Sequence, residues 1–329
     1  MDKVNKDVIV LIPVFEDRRS AIKLFEELSS QIQPAPYVIA VDDGSIQDPL
    51  QKADLAAARA GGEILRLARN MGHQQAIAIG LTYIAMNFEP NAVVVMDSDG
   101  EDRPESIPAL LQALRSGKVD AVVAKRRRRS ETLSFRIFYT IYRLAFHLLT
   151  GRSIRFGNFT ALSAAGVRRL AAMPELWVHV ASSLMVSKLR IGAVETDRGK
   201  RYHGASQMNF VSLLLHGMRS LMVFAEDVLV RIGLFCIILA CSSVMLLSAT
   251  AILKLLDIAT PGWFSTASGI LVVILLQAGI LTFVTLMIAG LVRSSSTVAR
   301  SDLDRLIERI EKSPAVEWEP LTRAERRSV

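Results

Sequence analysis

The stretch Ala92-Val93-Val94-Val95-Met96-Asp97-Ser98-Asp99 decides the fold of this chain. Its first five residues are apolar and mostly β-branched, which is typical of a strand buried inside a parallel sheet. Asp97 and Asp99 follow where such a strand ends, so their carboxylates can converge on one hard cation. Mg²⁺ and Mn²⁺ prefer oxygen ligands of this kind and are commonly shared with substrate phosphates. The alternative interpretation of this acidic pair is a solvated turn or a helix cap.

Apolar strand patterns and helical patterns alternate along the first part of the chain. Strands are predicted at 8–12, 37–41, 63–67, 92–96 and 121–124, and helices at 20–31, 49–60, 74–86 and 104–116. This alternation predicts an α/β fold with a doubly wound, mostly parallel sheet and helices on both of its faces. Pro13 is expected to end the first strand. No G-x-G-x-x-G follows that strand and no Walker A sequence is present, which disfavours a dinucleotide-binding Rossmann domain.

Polar residues follow the predicted strands at their carboxyl ends. They are Asp42, Asp43, Asn70, Asp97 and Asp99. Ligands of doubly wound folds bind beyond these ends of the strands. The sequence therefore predicts one binding rim that carries all of these side chains.

Two long apolar runs, at about 232–253 and 269–292, carry much of the 51% hydrophobic content. Each is long enough to cross a bilayer as a helix, which takes about 20 residues. The link between them, 254–267, is short and contains Pro261 and Gly262. We therefore expect a transmembrane hairpin, and the alternative is a pair of helices buried in a soluble core. Gly279, Ala289 and Gly290 are small enough to mediate helix packing within the hairpin or between the protomers of a homo-oligomer.

Basic residues flank the hairpin on the side of the chain termini. They are Arg219, Arg231, Arg293, Arg300, Arg305 and Arg309, whereas the link carries only Lys254, opposed by Asp257. The positive-inside rule then places the α/β domain and both termini in the cytoplasm, in an integral protein of the cytoplasmic (inner) membrane. No cleavable signal peptide is expected at the N-terminus. The net charge of +7 suits anionic lipid, a phosphate-bearing substrate or nucleic acid. The hairpin favours the first two, so we expect no nucleic-acid partner.

Four parts are expected along the chain. They are an α/β domain (1–205), an amphipathic juxtamembrane helix (206–227), the transmembrane hairpin (228–293) and a cytoplasmic tail (294–329). The amphipathic segments 135–149 and 210–224 are expected either in the membrane interface or packed on the sheet. Residues 300–312 are expected to form a charged helix, because their apolar residues recur at helical spacing. The residues beyond it are expected to be poorly ordered.

Five segments, in order, resemble motifs of inverting family 2 glycosyltransferases with the GT-A fold. They are VLIPVFED (10–17), VDDGS (41–45), RNMGHQQA (69–76), MDSDGEDRPE (96–105) and RGKRYHGAS (198–206). The resemblance spans about residues 8–295 and is strongest to the polyprenyl-phosphate glycosyltransferases, which include dolichol-phosphate mannose synthase and bacterial glucosyltransferases. The Gln-x-x-Arg-Trp motif of processive synthases is missing, which argues against a polymerase.

The resemblance implies a nucleotide-sugar donor, with a UDP-hexose favoured and GDP-mannose the other candidate. Asp43 would then hydrogen-bond the base, with Pro13, Phe15 and Asp17 lining the nucleotide pocket and Asp42 and Asn70 supporting it. Asp97, Asp99 and Glu101 would hold Mg²⁺ or Mn²⁺ and carry the catalytic role. The chain departs from the family pattern at several positions. They are Glu16-Asp17 in place of Asn-Glu, Glu101 in place of Gln, Asn158 where relatives often have Asp, and Gln207 where they often have Lys.

The implied acceptor is a polyprenyl phosphate, such as undecaprenyl or dolichyl phosphate. Its phosphate has a second pKa of about 6 and is largely a dianion at neutral pH. It is therefore already a nucleophile, and the enzyme must supply positive charge to bind it more than a general base. The residues expected to bind it are Arg126, Arg136, Arg198, Arg201 and Ser206. Arg127 to Arg129 are expected to attract anionic lipid instead. All five histidines are expected to be packing or surface residues.

Two other functions remain open from the sequence. A degenerate glycosyltransferase acting as a membrane scaffold would bind nucleotide without turnover, and the altered Glu16, Asp17 and Glu101 motivate this alternative. Transfer to another lipid, such as diacylglycerol, would require a general base for the hydroxyl acceptor. The many arginines favour a phosphate acceptor over that second alternative.

Overall fold

A computed structural model describes residues 3–126, 133–153, 156–204, 210–256, 258, 262–294, 303 and 305–313. The chain divides into two compact units. The first comprises Met1–Glu131, Ile154–Leu215 and Val298–Val329, and the second Thr132–Ser153 and His216–Thr297.

The first unit is built on one mixed sheet. Its strands are β1 (Val4–Val14), β2 (Tyr37–Asp42), β3 (Gly62–Leu67), β4 (Phe88–Val95), β5 (Ala121–Arg126), β6 (Thr160–Ser163), β7 (Ile191–Thr196) and β8 (Ile307–Ser313), in the order β7-β5-β6-β4-β1-β2-β3-β8. Neighbours are parallel except where β6 pairs with β4 and β5, and where β8 pairs with β3. The predicted doubly wound, mostly parallel sheet is therefore confirmed.

The helices cover both faces of this sheet. They are α1 (Arg18–Gln31), α2 (Lys52–Ala57), α3 (His73–Asn87), α4 (Ile107–Arg115, preceded by a 3₁₀ turn at Pro104–Ser106), α6 (Ala164–Ala171) and α7 (Val180–Val186). Alternate residues of β1 point to opposite faces, as the pleat requires. Val10 and Ile12 join one core with α1, α2 and α4, whereas Ile9 and Leu11 join a second core with α3, α6 and α7.

Two local predictions are wrong. Pro13 lies inside β1 and is paired with Val41 in register. It is the penultimate residue of the strand, so its missing N–H affects only the end of the ladder. The helix predicted at 300–312 gives way to β8 at 307–313, which pairs antiparallel with β3. Leu303 and Leu306 precede β8 and pack into the second core, whereas Ile310 within β8 is 40% exposed, so the predicted apolar stripe is buried only in part.

The second unit consists of long helices. They are α5 (Leu133–Thr150), α9 (Ala225–Leu255) and α10 (Trp263–Ser294), with α8 (Phe210–Met222) leading into it. Two helical segments, Ala225–Leu255 and Trp263–Thr285, are long and apolar enough to cross a membrane, with mean hydropathies of 2.4 and 2.3. In the most apolar 18-residue stretch of each helix, only 11% and 6%, respectively, is buried inside the protein, which does not fit the core helices of a soluble protein. These helices suggest a membrane protein.

Helix α5 packs within this unit. The ring of Phe146 meets that of Phe224 edge-on, with centroids 5.5 Å apart, and Tyr142 donates a hydrogen bond to the carbonyl of Gly217. Arg231 of α9 donates to the carbonyl of Leu148 at 3.1 Å. The described contacts of α5 are thus with neighbouring helical segments of its own unit.

Candidate functional site

The last residue of β2, Asp42, builds the loop that follows it. Its side chain is fully buried, and its two carboxylate oxygens accept hydrogen bonds from the backbone N–H groups of Ser45 and Leu50, both at 3.0 Å. Arg66 of β3 lies 3.7 Å from the same carboxylate. Asp42 thus holds this loop in place and has no exposed surface with which to contact a nucleotide directly, so its supporting role in a nucleotide pocket stays a prediction.

Asp43 ties two loops of the rim together. Its carboxylate oxygens accept hydrogen bonds from the N–H groups of Met71 at 2.7 Å and Gly72 at 2.8 Å. Burial raises the pKa of the Asp43 carboxyl, and these two N–H groups oppose that shift. Asn70 lies exposed beside this contact. Asp43 and Asn70 are therefore together at the rim. The contact of Asp43 with a nucleotide base and the supporting role of Asn70 stay predictions.

Glu16 replaces the family's Asn and organises the neighbouring loop. Its backbone is left-handed, with φ 49°, and its carboxylate accepts hydrogen bonds from Ile46, Gln47 and Asp48 at 2.7, 3.1 and 2.9 Å. Hydrogen bonds from Ile46 and Asp48 lower the pKa of the Glu16 carboxyl. The carboxylate of Glu16 therefore binds the backbone N–H groups of three consecutive residues in the neighbouring loop.

An open cleft of about 680 Å³ lies beside this loop. It is lined by Glu16, Asp17, Arg18, Arg19, Ile22, Asp48 and His203. Of the predicted nucleotide residues, Asp17 lines the cleft, whereas Pro13 is buried and Phe15 is 44% exposed. Arg18 makes a bidentate pair with Asp54, with both distances 2.8 Å.

The acidic motif begins one residue beyond the strand, since β4 ends at Val95. Asp99 accepts a hydrogen bond from the N–H of Glu101 at 2.9 Å. Burial raises the pKa of the Asp99 carboxyl; the N–H of Glu101 opposes the shift, and the charge of Asp97 adds to it. Two carboxylates that repel each other in a partly buried loop form a site where a cation is favourable.

The segment 198–202 runs along this acidic loop. Gly199 and Tyr202 donate backbone hydrogen bonds to the carbonyls of Glu101 and Asp99, at 2.9 and 2.8 Å. Arg198 binds the Glu101 carboxylate with Nε and Nη2, at 3.0 and 2.6 Å. Arg201 lies 2.7 Å from Asp99 and 3.6 Å from Glu101. Two arginines that were predicted to bind the acceptor phosphate therefore contact two residues that were predicted to bind the metal ion.

The donor chemistry of Asp97 and Asp99 fits a divalent cation, because both offer carboxylate oxygens. Within the described ranges, however, no three acidic, cysteine or histidine side chains form a group that could hold a metal ion. Glu101 contacts Arg198 and Arg201 instead, so its role as third ligand stays a prediction. Mg²⁺ commonly takes one or two protein carboxylates and completes its shell with water and substrate phosphate.

One histidine, expected like the other four to be a packing or surface residue, lies beside the acidic motif. Nε2 of His73 lies 3.2 Å from Oδ1 of Asp97 and 3.1 Å from Nδ2 of Asn158. Packing around the ring lowers the pKa of His73, but Asp97, Asp102 and Asp43 raise it by more. His73 belongs to the RNMGHQQA motif and begins α3 at the rim. Its place in this motif is the feature of the sequence that could have indicated a contact with the acidic loop.

The remaining predicted residues are placed only in part. Arg126 ends β5 and Arg136 lies in α5, and the structure describes their backbone alone. Ser206 and Arg127 to Arg129 lie outside the described residues.

Residues 9–172 match the family model described as glycosyl transferase family 2. The chain carries a family 2 glycosyltransferase domain. This confirms the family resemblance that five short motifs indicated.

Curated relatives of this chain carry sugar-transferase names. The undecaprenyl-phosphate 4-deoxy-4-formamido-L-arabinose transferase of Proteus mirabilis is 26% identical over 223 residues, 65% of this chain and 66% of that protein. The dodecaprenyl-phosphate galacturonate synthase of Rhizobium johnstonii is 24% identical over 216 residues, 61% of each chain. The dolichol-phosphate mannosyltransferase of Pyrococcus furiosus is 28% identical over 116 residues, 35% of this chain and 32% of that one. The chain thus spans about two thirds or less of each of these relatives.

Solved structures with a similar fold include glucosyl-3-phosphoglycerate synthase from Mycobacterium tuberculosis in complex with Mn²⁺, UDP and phosphoglyceric acid. The match has a TM-score of 0.48 and 14% identity, and it covers 68% of this chain and 78% of that one.

Proposed function

We propose that this protein transfers one sugar from a nucleotide-sugar to a polyprenyl phosphate at a membrane surface. The observation that carries the proposal is the contact of Arg198 and Arg201 with the acidic loop at 97–101. This contact places the side chains proposed to bind phosphate beside those proposed to bind the cation. Two exposed apolar helices in the same chain support a lipid acceptor. The polyprenyl-phosphate names of the relatives point the same way.

The donor is held at the rim in this proposal. Asp43 hydrogen-bonds the base, Pro13, Phe15 and Asp17 line the nucleotide pocket, and Asp42 and Asn70 support it. Asp97 and Asp99, with Glu101 as the proposed third ligand, hold Mg²⁺ or Mn²⁺. When bound, such an ion supplies Lewis-acid stabilisation of the diphosphate leaving group. We favour a UDP-hexose over GDP-mannose.

The acceptor phosphate binds to guanidinium groups, whose planar forks match phosphate oxygens. Arg198 and Arg201 exchange their carboxylate partners for the phosphate, and Arg126, Arg136 and Ser206 complete the site. A phosphate oxygen forms a bond to the anomeric carbon as the bond to the diphosphate breaks, and the electron pair leaves with the diphosphate. Attack opposite the leaving group inverts the anomeric configuration. No general base is needed, because the nucleophile is already an anion.

The membrane hairpin keeps the enzyme beside its lipid substrate. With arginines on the terminal side and a nearly uncharged link, we propose that the glycosyltransferase domain and both termini are cytoplasmic. The reaction then takes place at the inner leaflet of the cytoplasmic membrane.

The test is transfer of radiolabelled sugar into organic-extractable lipid. Purified full-length protein is mixed with undecaprenyl phosphate, Mn²⁺ or Mg²⁺ and a panel of UDP- and GDP-sugars. The matched variants are Asp99→Ala and Asp120→Ala, since Asp120 also pairs with an arginine, Arg190, but precedes β5 at the opposite edge of the sheet. The proposal is supported if label appears in the lipid, if Asp99→Ala or a chelator abolishes this label, and if Asp120→Ala preserves it. Nucleotide binding without label from any donor contradicts it and favours the scaffold function.

A further inference from the structure

The strand β8 presents charged side chains on both faces of the sheet. It pairs antiparallel with β3, with Ile64 opposite Glu311 and Glu63 opposite Lys312. Because successive side chains of a strand point to opposite faces, Glu311 and Lys312 reach different surroundings. Lys312 meets the buried carboxylate of Glu63 at 3.1 Å. Glu311 lies on the same face as Ile64, which shares a core with Leu55 of α2.

Glu311 contacts the chain where the donor loop, residues 43–51, ends. Its Oε2 atom accepts a hydrogen bond from the backbone N–H of Lys52, the first residue of α2, at 3.1 Å. Its Oε1 atom lies 3.9 Å from Nη2 of Arg66 in β3. Glu311 and Arg66 are diagonal neighbours in the paired strands, and long side chains in such positions can reach each other. The two oxygens of one carboxylate thus meet a backbone donor and a guanidinium.

Arg66 extends this contact into the donor loop. Its Nη2 atom also donates a hydrogen bond to the carbonyl of Leu50, and its Nε atom lies 3.7 Å from Oδ2 of Asp42. A guanidinium has several N–H donors, so it can make these contacts together with that to the carboxylate of β8. Asp42 in turn accepts hydrogen bonds from the N–H groups of Ser45 and Leu50. The far end of the donor loop is therefore held by side chains of β2, β3 and β8.

These charged groups are largely removed from water. The side chains of Asp42, Arg66 and Glu311 are 0%, 20% and 21% exposed. Charges attract each other more strongly in such surroundings than at the surface, where solvent screens them. The contacts of Glu311 can therefore restrain the loop, whereas an ion pair between fully exposed side chains would add little.

We propose that Glu311 is a positioning residue for the donor loop, acting through the N–H of Lys52 and through Arg66. This inference rests on the proposed function, which assigns the loop to the nucleotide through Asp43. A loop that is already held in place loses less conformational freedom when a ligand binds to it, so the ligand binds more tightly. The strand β8, which follows the long apolar helices in the chain, thus takes part in donor binding without touching the donor.

The experiment measures the binding of UDP and of GDP, each with Mn²⁺, to the purified full-length protein by calorimetry. Variants are compared on the nucleotide that the wild type binds. Glu311→Ala removes both contacts, and its Kd is expected to rise about 2- to 10-fold, which corresponds to the loss of one hydrogen bond. Glu311→Gln keeps an oxygen for the N–H of Lys52 and is expected to recover part of the loss. In the transfer assay the KM for the donor should rise while kcat changes little, because Glu311 touches no reacting group.

Two control variants lie in the same strand. Glu308→Ala makes the same change at an exposed residue of β8 and should leave the Kd unchanged. Lys312→Gln loosens β8 at its contact with Glu63, on the other face of the sheet, and so measures the effect of weaker strand docking alone. Melting temperatures report how far each variant loosens the strand.

The inference is supported if Glu311→Ala raises the Kd, if Glu311→Gln recovers part of the loss, and if Lys312→Gln binds like the wild type. A wild-type Kd in Glu311→Ala overturns the inference and leaves the proposed function intact. An equal rise in Lys312→Gln also overturns it, because the effect then belongs to the docking of the whole strand.

A second pair of variants decides should Glu311→Ala fail to fold. A higher Kd in Glu311→Gln than in Glu308→Gln then supports the inference, and equal values overturn it. A wild type that binds neither UDP nor GDP refutes the nucleotide site itself, and with it both the inference and the proposed function.

Discussion

Gly44 allows the two loops of the donor rim to approach each other. Its φ is +71°, and a Cβ atom added there would lie 2.5 Å from the carbonyl carbon of Arg69 and 2.6 Å from the backbone nitrogen of Asn70. Ordinary van der Waals contacts of a Cβ begin near 3.4 Å, so Gly44→Ala must push these backbones apart. The same loops are joined by Asp43 through its hydrogen bonds to Met71 and Gly72.

Two costs add in Gly44→Ala. A left-handed backbone costs an alanine roughly 1–2 kcal/mol. Forcing a methyl group into closely packed surroundings costs about 1–3 kcal/mol more. The free energy of unfolding should therefore fall by roughly 2–5 kcal/mol. Widening of the loops should also weaken nucleotide binding, because Asp43 and Asn70 move with them.

Gly117→Ala has the first cost without the second, so the difference between the two variants isolates the second. Gly117 has a nearly identical φ of +69°, but a Cβ there meets no atom within 4 Å. The assay is urea denaturation in detergent, followed by fluorescence of Trp177 with the other two tryptophans replaced by phenylalanine. Gly44→Ala should be less stable than Gly117→Ala by about 1–3 kcal/mol and should raise the Kd for UDP selectively. Equal destabilisation of the two variants, within about 0.5 kcal/mol, would refute the close approach as the cause.

Three further predictions concern charged groups. Arg201→Gln removes the guanidinium that competes with the cation for the carboxylates of the acidic loop. Calorimetry should therefore show tighter Mn²⁺ binding, while transfer of sugar to the lipid falls. An unchanged affinity for Mn²⁺ would contradict this. Lys312→Glu places a like charge beside buried Glu63, which Lys312 meets at 3.1 Å, and should lower the urea midpoint more than Lys312→Gln does. Arg190 lowers the pKa of Asp120 from 3.8 to about 2, so its stabilisation is present above pH 4 and lost as the pH falls from about 4 to 2. Asp120→Asn should therefore unfold with a weaker pH dependence in that window than the wild type, and identical pH profiles would exclude the ion pair as the cause.

The sequence alone determined the strands β1 to β5 and the helices α1 to α4, whereas β6 and β7 were not predicted and β8 was predicted as part of a helix. Apolar runs such as 92–96 predicted buried parallel strands because only strands covered on both faces can be apolar at every position. Parallel pairing then brings the carboxyl ends together, which is why Asp43, Asn70 and Asp97 could be assigned to one edge. The two long apolar runs predicted helices of membrane-spanning length for an equally local reason, since about 20 consecutive apolar residues are enough to cross a bilayer as a helix.

Only the tertiary structure decided which side chains touch. His73 and Asn158 are 85 residues apart, and no local periodicity relates an imidazole on α3 to an amide before β6. The contact of Arg201 with Asp99 likewise depends on how the segment 198–202 lies along the acidic loop. Residues 307–313 carry a helical apolar pattern, yet they form β8 because the open edge of β3 offers backbone partners that an isolated segment lacks. Local patterns report which face of an element is buried, whereas long-range pairing decides which partner it meets.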